Sequence, residues 1–400
     1  MTSGIVVLAD DLSGAAESAA AIGIGTVVRL WQPASRGEVR ADGPALVIDT
    51  GTRVGSPAAA RRATTLVMAG LASSSISLLV KIDSLLRGHS TELAALAAGR
   101  TTFVCPALPA LGRRVIDGQV LVDDRPLGES PAWRHEGRPA PASVAAWLAP
   151  LPTHRIGLRE LREPRPHHVR PGAVHVCDAE TEADVEAIAA LAHRTRASLV
   201  AGSSLLIAAT ARRRPYGDGS QVSPSRTRTL PRQARGVLLV VGTASPEARA
   251  QADRLRNDPR VVHVPVDELL SGRQFVTVEQ ALRAGRDVVV GWAEDLRTAS
   301  DPAVLSHRLA RRLAPVITAT GADLFLTGGQ TARSVLDEIG TQELTVLDEV
   351  PPGAVISAAE DGRLVGTRPG SFGGPDALSD VLAALRRHRD AAGDPDPKGA

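Results

Sequence analysis

The stretch Val6–Ala20, VVLADDLSGAAESAA, runs four apolar residues into two adjacent aspartates, then Ser-Gly, then an alanine-rich helical pattern. A buried strand that turns straight into a helix is the opening of a strand–helix unit of an α/β fold. In open α/β sheets, ligands bind outside the C-terminal ends of the strands. Asp10 and Asp11 stand at such an end. Asp11, just before Leu12-Ser13-Gly14, also suits a helix N-cap. Both readings of Asp11 remain open at this level.

The pattern recurs along the chain. Apolar runs bounded by turns are IVVLA, ALVIDT, SLLVKID, TTFVCPA, AVHVCDA, ASLVAG, GVLLVVG, RDVVVGW and ADLFLTGG. Amphipathic segments such as SPAAARRATTLVMAGLA, TEADVEAIAALAHRTR, SPEARAQADRLRN and DPAVLSHRLARRLAPVITAT lie between many of them. Uninterrupted apolar strands alternating with helices predict largely parallel sheets covered on both faces. The expected fold is α/β: two three-layer α/β domains with an active-site cleft between them. The stretch from Ala211 to Gly236, rich in Pro, Ser, Gly and Arg, predicts a connection. The expected organisation is one domain over 1–211, a linker over 212–235, a second domain over 236–389 and a disordered tail over 390–400. IDGQVLVDD predicts a hairpin, followed by a proline-rich excursion between Pro131 and Pro141.

Bulk composition narrows the function classes. The chain has 400 residues, 43% hydrophobic but only 2% aromatic, so its cores are built from Ala, Val, Leu and Ile. A net charge of +2 with no basic stripe interleaved with aromatics argues against nucleic acid as a partner. No stretch approaches the length of a membrane span, and the N-terminus MTSGIVVLADD does not read as a signal peptide. Cys105 and Cys177 lack partner spacing and read as buried apolar residues of a reduced, cytoplasmic chain. Lys81 and Lys398 are the only lysines. In a chain so biased towards arginine, an internal lysine points to a need for a compact ammonium.

Each strand end carries chemistry. KIDSLLRGH places Lys81, Asp83, Ser84, Arg87, Gly88 and His89 within nine residues. The adjacent carboxylates Asp10 and Asp11 can take up a hydroxyl proton or hold a magnesium ion. Lys81 and Arg87 can hold a carboxylate, the arginine in bidentate fashion, while Asp83 receives a hydroxyl. The second half offers glycines and hydroxyls instead: Gly242, Thr243 and Ser245; Thr327, Gly328, Gly329, Gln330 and Thr331; then Arg368, Gly370, Ser371, Gly373 and Gly374. Such turns expose backbone N–H groups at helix N-termini and suit phosphate oxygens. One domain thus reads as a site for a small polyhydroxy acid and the other as a nucleotide site, together a phosphoryl transferase. Each stretch alone is weak evidence, because Gly-Gly turns also serve close packing; five such stretches at predicted strand ends, two charged and three glycine-rich, are not.

In order, these motifs resemble the four-carbon acid sugar kinases. The family's Ala-Asp-Asp-Leu-Thr-Gly-Ala is similar to Ala9–Ala15, with Ser13 for Thr; its Lys-x-Asp-Ser-Thr-Leu-Arg-Gly to Lys81–Gly88, with Leu85 for Thr. Its Cys-Pro-Ala and Gly-Arg are matched by Cys105–Ala107 and Gly112-Arg113. Gly-Ser-x-Ser with a downstream glutamine is matched by Gly242–Ser245 and Gln251, Thr-Gly-Gly-(Asp/Glu)-Thr by Thr327–Thr331, and Lys-Ser-Gly-x-Phe-Gly by Arg368–Gly373. Gln330 replaces an acid and Arg368 a lysine. The resemblance spans Ile5 to about Leu385. It implies a sugar-acid-binding N-terminal and a nucleotide-binding C-terminal domain, ATP and Mg2+ as cofactors, and phosphorylation of threonate, erythronate or an oxo-tetronate at its terminal hydroxyl to the 4-phosphate. It further implies one of the paired aspartates as the base, Asp11 with Asp10 as its partner or the reverse, and Arg113 beside the sugar acid. A homo-oligomer is compatible with it. The alternative is a sugar-acid-binding regulator without kinase activity. A phosphatase of the haloacid dehalogenase type needs Asp-x-Asp, where this chain has Asp10 and Leu12, and the Gly-Ala-Gly-Asp of ribokinase-like enzymes is missing.

Overall fold

The computed structural model describes residues 4–32, 45–71, 76–133, 136–163, 168–213, 236–243, 246–292, 302–370 and 373–391. The chain divides into two compact units, Met1–Thr26 with Trp31–Gln221, and Val27–Leu30 with Val222–Ala400. Most of the expected linker and the tail beyond Ala391 lie outside the described residues. Asp390 and Ala391 close the last helix, Ala377–Ala391.

All nine apolar runs form strands. In the first unit the sheet order is Ala45–Asp49, Ile5–Ala9, Ser77–Lys81, Leu199–Gly202, Thr102–Cys105, Val174–Cys177, Thr153–Ile156, every neighbouring pair parallel. The runs are buried along their length, as parallel strands covered by helices must be. The predicted helices are present at Pro57–Gly70 and Glu182–Arg194, the latter closed by a capping box between Thr181 and Asp184. IDGQVLVDD forms the predicted hairpin. Arg113–Ile116 pairs antiparallel with Gln119–Val122 across an Asp117-Gly118 turn with φ of 52° and 72°. Cys105 and Cys177 are buried and unbridged, and burial pushes the Cys105 thiol up to about 12.

The second unit has the order Val261–Pro265, Asp287–Gly291, Val237–Val241, Asp323–Thr327, Leu364–Arg368, Ala354–Ala359, Glu343–Val350, Val27–Leu30. The first five are parallel; the last three joints are antiparallel. Sequence reading missed this antiparallel end, where Glu343–Val350, Ala354–Ala359 and Leu364–Arg368 are joined by short turns rather than helices. It also placed Val27–Leu30 in the first unit. That segment pairs Val27, Val28 and Arg29 with Thr345, Leu344 and Glu343, and Arg29 Nε donates to Glu343 Oε1 at 2.7 Å. No described helix is long and apolar enough to cross a membrane.

Candidate functional site

The register of the first sheet lines up three strand ends. Ala9 pairs with Asp49 on one side and with Lys81 on the other. Asp10–Asp11, Thr50–Arg53 and Ile82–Arg87 therefore leave the sheet at one edge. The chain visits the strand on one flank of Ile5–Ala9 and then the strand on the other, which makes this edge a topological switch point.

Arg53 organises the paired aspartates. Its Nε donates to Asp10 Oδ2 at 3.0 Å and its Nη2 to Asp10 Oδ1 at 2.6 Å, while Nη2 also lies 2.7 Å from Asp11 Oδ1. Asp11 is the N-cap of the helix Leu12–Ile22, its Oδ1 accepting from Gly14 N–H at 3.1 Å. The cap and site readings thus both apply to one side chain. Both Asp10 oxygens are taken by the guanidinium fork, whereas Asp11 Oδ2 has no hydrogen-bond or ion-pair partner among the described residues. Burial alone would weaken the Arg53 cation, but Asp10 and Asp11 outweigh it and hold its pKa well above the usual arginine range.

Lys81 is buried at 5% exposure and its Nζ donates to the Ile82 carbonyl at 3.1 Å. No carboxylate among the described residues lies within ion-pairing distance of it. Asp83 and Arg87, by contrast, satisfy each other: Arg87 Nε and Nη2 reach Asp83 Oδ2 and Oδ1 at 2.6 and 2.9 Å. Burial would raise the Asp83 carboxyl, but Arg87 and Arg53 hold it well below the usual carboxylate range. The turn between them puts Leu86 at φ 57°, a left-handed conformation uncommon for a leucine. Ser84 accepts from Arg113 Nη1. His89 precedes the helix Ser90–Ala97, and its Nε2 lies 2.6 Å from the Gly55 carbonyl. Leu85 is buried at 2% exposure.

Gly88 is set by a close approach. A Cβ there would meet Asp10 Oδ2 at 2.1 Å. Gly88→Ala should therefore push Asp10 out of the Arg53 fork, destabilise the chain by about 1–3 kcal/mol and lower turnover further than that loss explains. Thermal denaturation beside steady-state kinetics checks this; a variant with unchanged turnover would show that the fork can shift without consequence.

Three residues missed in the sequence join this edge. Arg53 follows the run ALVIDT, whose strand end was not read. Glu17 is half-buried on the first helix; burial pushes its carboxyl up to about 7, Lys81 pulls it back and Asp11 adds to the rise. Glu92 lies in the first turn of Ser90–Ala97 and is buried.

The second unit repeats the arrangement with different chemistry. Val241 pairs with Thr327, and Thr327 with Arg368. Gly242-Thr243, Gly328–Gln330 and Pro369-Gly370 therefore leave adjacent strands together. Gly328 N–H donates to the Arg368 carbonyl at 2.8 Å and precedes the helix Gly329–Glu338, whose first turn holds Gln330 and Thr331. Thr331 Oγ1 is buried 3.1 Å from Ser306 Oγ, and a Cβ at Gly242 would meet it at 2.4 Å. Gly370 also lies close to Thr243, its added Cβ 3.1 Å from the Thr243 Cβ. Ser245 and Ser371 lie outside the described residues.

Arg368 is 1% exposed and has no carboxylate partner among the described residues. Its Nη2 donates to Gln251 Oε1 at 2.7 Å, while Nε and Nη1 have no hydrogen-bond partner there. Gln251 Nε2 in turn donates to the Gly373 and Gly374 carbonyls at 3.1 and 2.9 Å. Burial lowers the Arg368 pKa to about 10, still charged at neutral pH.

Comparison with known proteins agrees with this division. Residues 5–210 match the family model described as a sugar-binding N-terminal domain, and residues 238–378 the one described as a nucleotide-binding C-terminal domain. A D-threonate kinase of Cupriavidus necator is 34% identical over 96% of this chain and 98% of its own length. A D-threonate kinase of Salmonella typhimurium is 26% identical over 94% of this chain and 97% of its own. A 3-oxo-tetronate kinase of Pseudomonas savastanoi is 23% identical over 71% of this chain and 72% of its own. The fold is shared with a solved Haemophilus influenzae protein, at a TM-score of 0.68 and 19% identity over 95% of this chain and 100% of that one. With both domains matched in order and the first relative covered almost end to end, the chain belongs to the four-carbon acid sugar kinase family.

Proposed function

We propose that this chain is an ATP-dependent kinase that phosphorylates the terminal hydroxyl of a four-carbon sugar acid, of the threonate, erythronate or oxo-tetronate type, to the 4-phosphate. The observation that carries the reading is that each unit buries a cation that meets no carboxylate among the described residues, Lys81 in the first and Arg368 in the second. A buried charge left unpaired is costly, so an anionic ligand completes each. For Lys81 that anion is the substrate carboxylate; for Arg368 it is a nucleotide phosphate, beside the glycine turns at Gly242 and Gly328. Arg87 keeps Asp83 ionised and the turn rigid rather than holding the carboxylate itself. Asp11 Oδ2 takes the hydroxyl proton, and Arg53 and Asp10 hold that carboxylate in place. ATP, accompanied by magnesium on its phosphates, supplies the phosphoryl group when bound.

The test is ADP release by the purified chain with ATP, magnesium and a panel of four-carbon acids beside the neutral polyol of the same length. Turnover with an acid and none with the polyol is expected; no turnover with any acid overturns the reading. In the same assay Lys81→Met should raise the KM for the acid by roughly ten- to a hundredfold, the worth of one or two charge-assisted hydrogen bonds. The KM for ATP should stay near its original value.

A further inference from the structure

Thr50, Thr52 and Glu92 form a chain of oxygen atoms that begins at Ala9, the residue before Asp10. Thr50 Oγ1 lies 2.9 Å from the Ala9 carbonyl oxygen and 2.8 Å from Thr52 Oγ1, and Thr52 Oγ1 is hydrogen-bonded to Glu92 Oε1. All three side chains are buried, Glu92 at 8% exposure. Three oxygen–oxygen contacts need three protons. Each threonine hydroxyl carries one, and the carbonyl carries none. The third has one source, the carboxyl of Glu92. With Glu92 ionised, one contact in a buried chain would set two lone pairs face to face.

We propose that Glu92 is a positioning residue held as a neutral acid, whose proton completes the Thr52–Thr50–Ala9 chain and so fixes the loop that carries Arg53 onto Asp10 and Asp11. This rests on the reading of that edge as the acceptor site. The loop is otherwise tied by Thr50 N–H to the Ala9 carbonyl at 2.9 Å, Arg53 N–H to the Asp10 carbonyl at 3.1 Å and Gly55 N–H to the Thr52 carbonyl at 3.0 Å. His89 Nε2 and Thr91 Oγ1 meet the carbonyls of Gly55 and Pro57, so the segment bearing Glu92 is bound to the same loop.

Burial favours the neutral form. Burial is the main cause and pushes the Glu92 carboxyl up to about 8; a Thr52 hydroxyl turned to donate to the ionised group, and Arg53, pull it back, and Asp10 and Asp49 add to the rise. The helix Pro57–Gly70, packed beside that of Glu92, leaves its Arg61 and Arg62 exposed to water. In the unfolded chain the group ionises near 4.5 but in the fold near 8. Its contribution to stability is therefore full below the lower value and is lost as pH rises through the upper one. A pH rise should also loosen Arg53.

The test compares kcat against pH for the original chain, Glu92→Gln and Glu92→Leu. The original chain should lose kcat above about pH 8. Glu92→Gln, whose amide donates but does not ionise, should stay within about threefold of it at neutral pH and lose that alkaline fall, whereas Glu92→Leu should drop about tenfold, the worth of one hydrogen bond. An alkaline fall that persists in Glu92→Gln overturns the proposal. So does a glutamine variant as impaired as the leucine variant. Infrared spectroscopy supplies a readout independent of turnover. A carbonyl band of a protonated carboxylic acid should vanish through about pH 8 and be missing from Glu92→Gln, a difference that separates it from Glu17. Lack of that band in the original chain overturns the neutral acid even where kinase activity is found. The band without acid phosphorylation upholds the neutral acid and counts against the kinase reading alone.

Discussion

Asp11→Asn should leave the fold standing and lower turnover with a four-carbon acid by roughly two or more orders of magnitude, as expected for a lost general base. The two oxygens of this carboxylate have separate duties. Oδ1 caps the first helix through Gly14 N–H and meets Arg53, while Oδ2 is unengaged among the described residues. Asparagine keeps a carbonyl oxygen for the cap, and Asn and Asp are near-equal at that position. What it removes is a group able to accept the hydroxyl proton. The check is kcat beside a thermal melt. Near-normal turnover in a well-folded variant would reduce Asp11 to a cap. A melt lowered in step with activity would place the effect in folding. Asp10→Asn should behave differently, because both Asp10 oxygens sit in the Arg53 fork; its melt should fall along with its turnover.

Arg368→Met should raise the KM for ATP by roughly ten- to a hundredfold, since hydrogen bonds to a charged group contribute about 1.5–3 kcal/mol each. The ligand-free chain should be no less stable for the change. The guanidinium is fully buried, with Gln251 as its hydrogen-bonding side-chain partner and the Phe325 ring 5.9 Å away. Replacing a buried charge that lacks a counter-ion by an apolar side chain of similar length is commonly neutral or stabilising. Opposite signs on affinity and stability separate a ligand-binding cation from a structural one. A lower melting temperature with an unchanged KM would make Arg368 a brace for Gln251 and the Gly373 turn. The KM for the acid should be insensitive to this substitution.

How much of the site was legible follows from what each residue needs. Asp10, Asp11, Lys81, Asp83 and Arg87 could be found because each ends or follows an apolar run, and that is a local signal. Arg53 had the same signal in the Gly-Thr-Arg that follows ALVIDT, and reading that strand end would have found it. Glu17 had little: one acid in an alanine-rich helix looks like a solvent-facing residue. Glu92 had a misleading one, because an acid in the first turn of a helix normally answers the helix dipole. In the second unit the glycine turns were legible and the bareness of Arg368 was not.

The sequence by itself determined the alternation of strands and helices, the parallel character of most of both sheets, the hairpin at Asp117-Gly118, and the family. These follow from the spacing of apolar residues and from short motifs, both properties of contiguous chain. Tertiary structure alone decided which charges neutralise one another. Asp10 meets Arg53 across 43 positions because Ala9 and Asp49 share a register, and Thr52 meets Glu92 across 40. Asp83 closes on Arg87 and leaves Lys81 without a carboxylate among the described residues. The same holds for Val27–Leu30, which sits early in the sequence yet pairs with Glu343–Thr345 of the second unit. The energy of a buried charge depends on what lies within a few ångströms of it. Those neighbours are fixed by strand register and burial, which no short stretch of sequence contains.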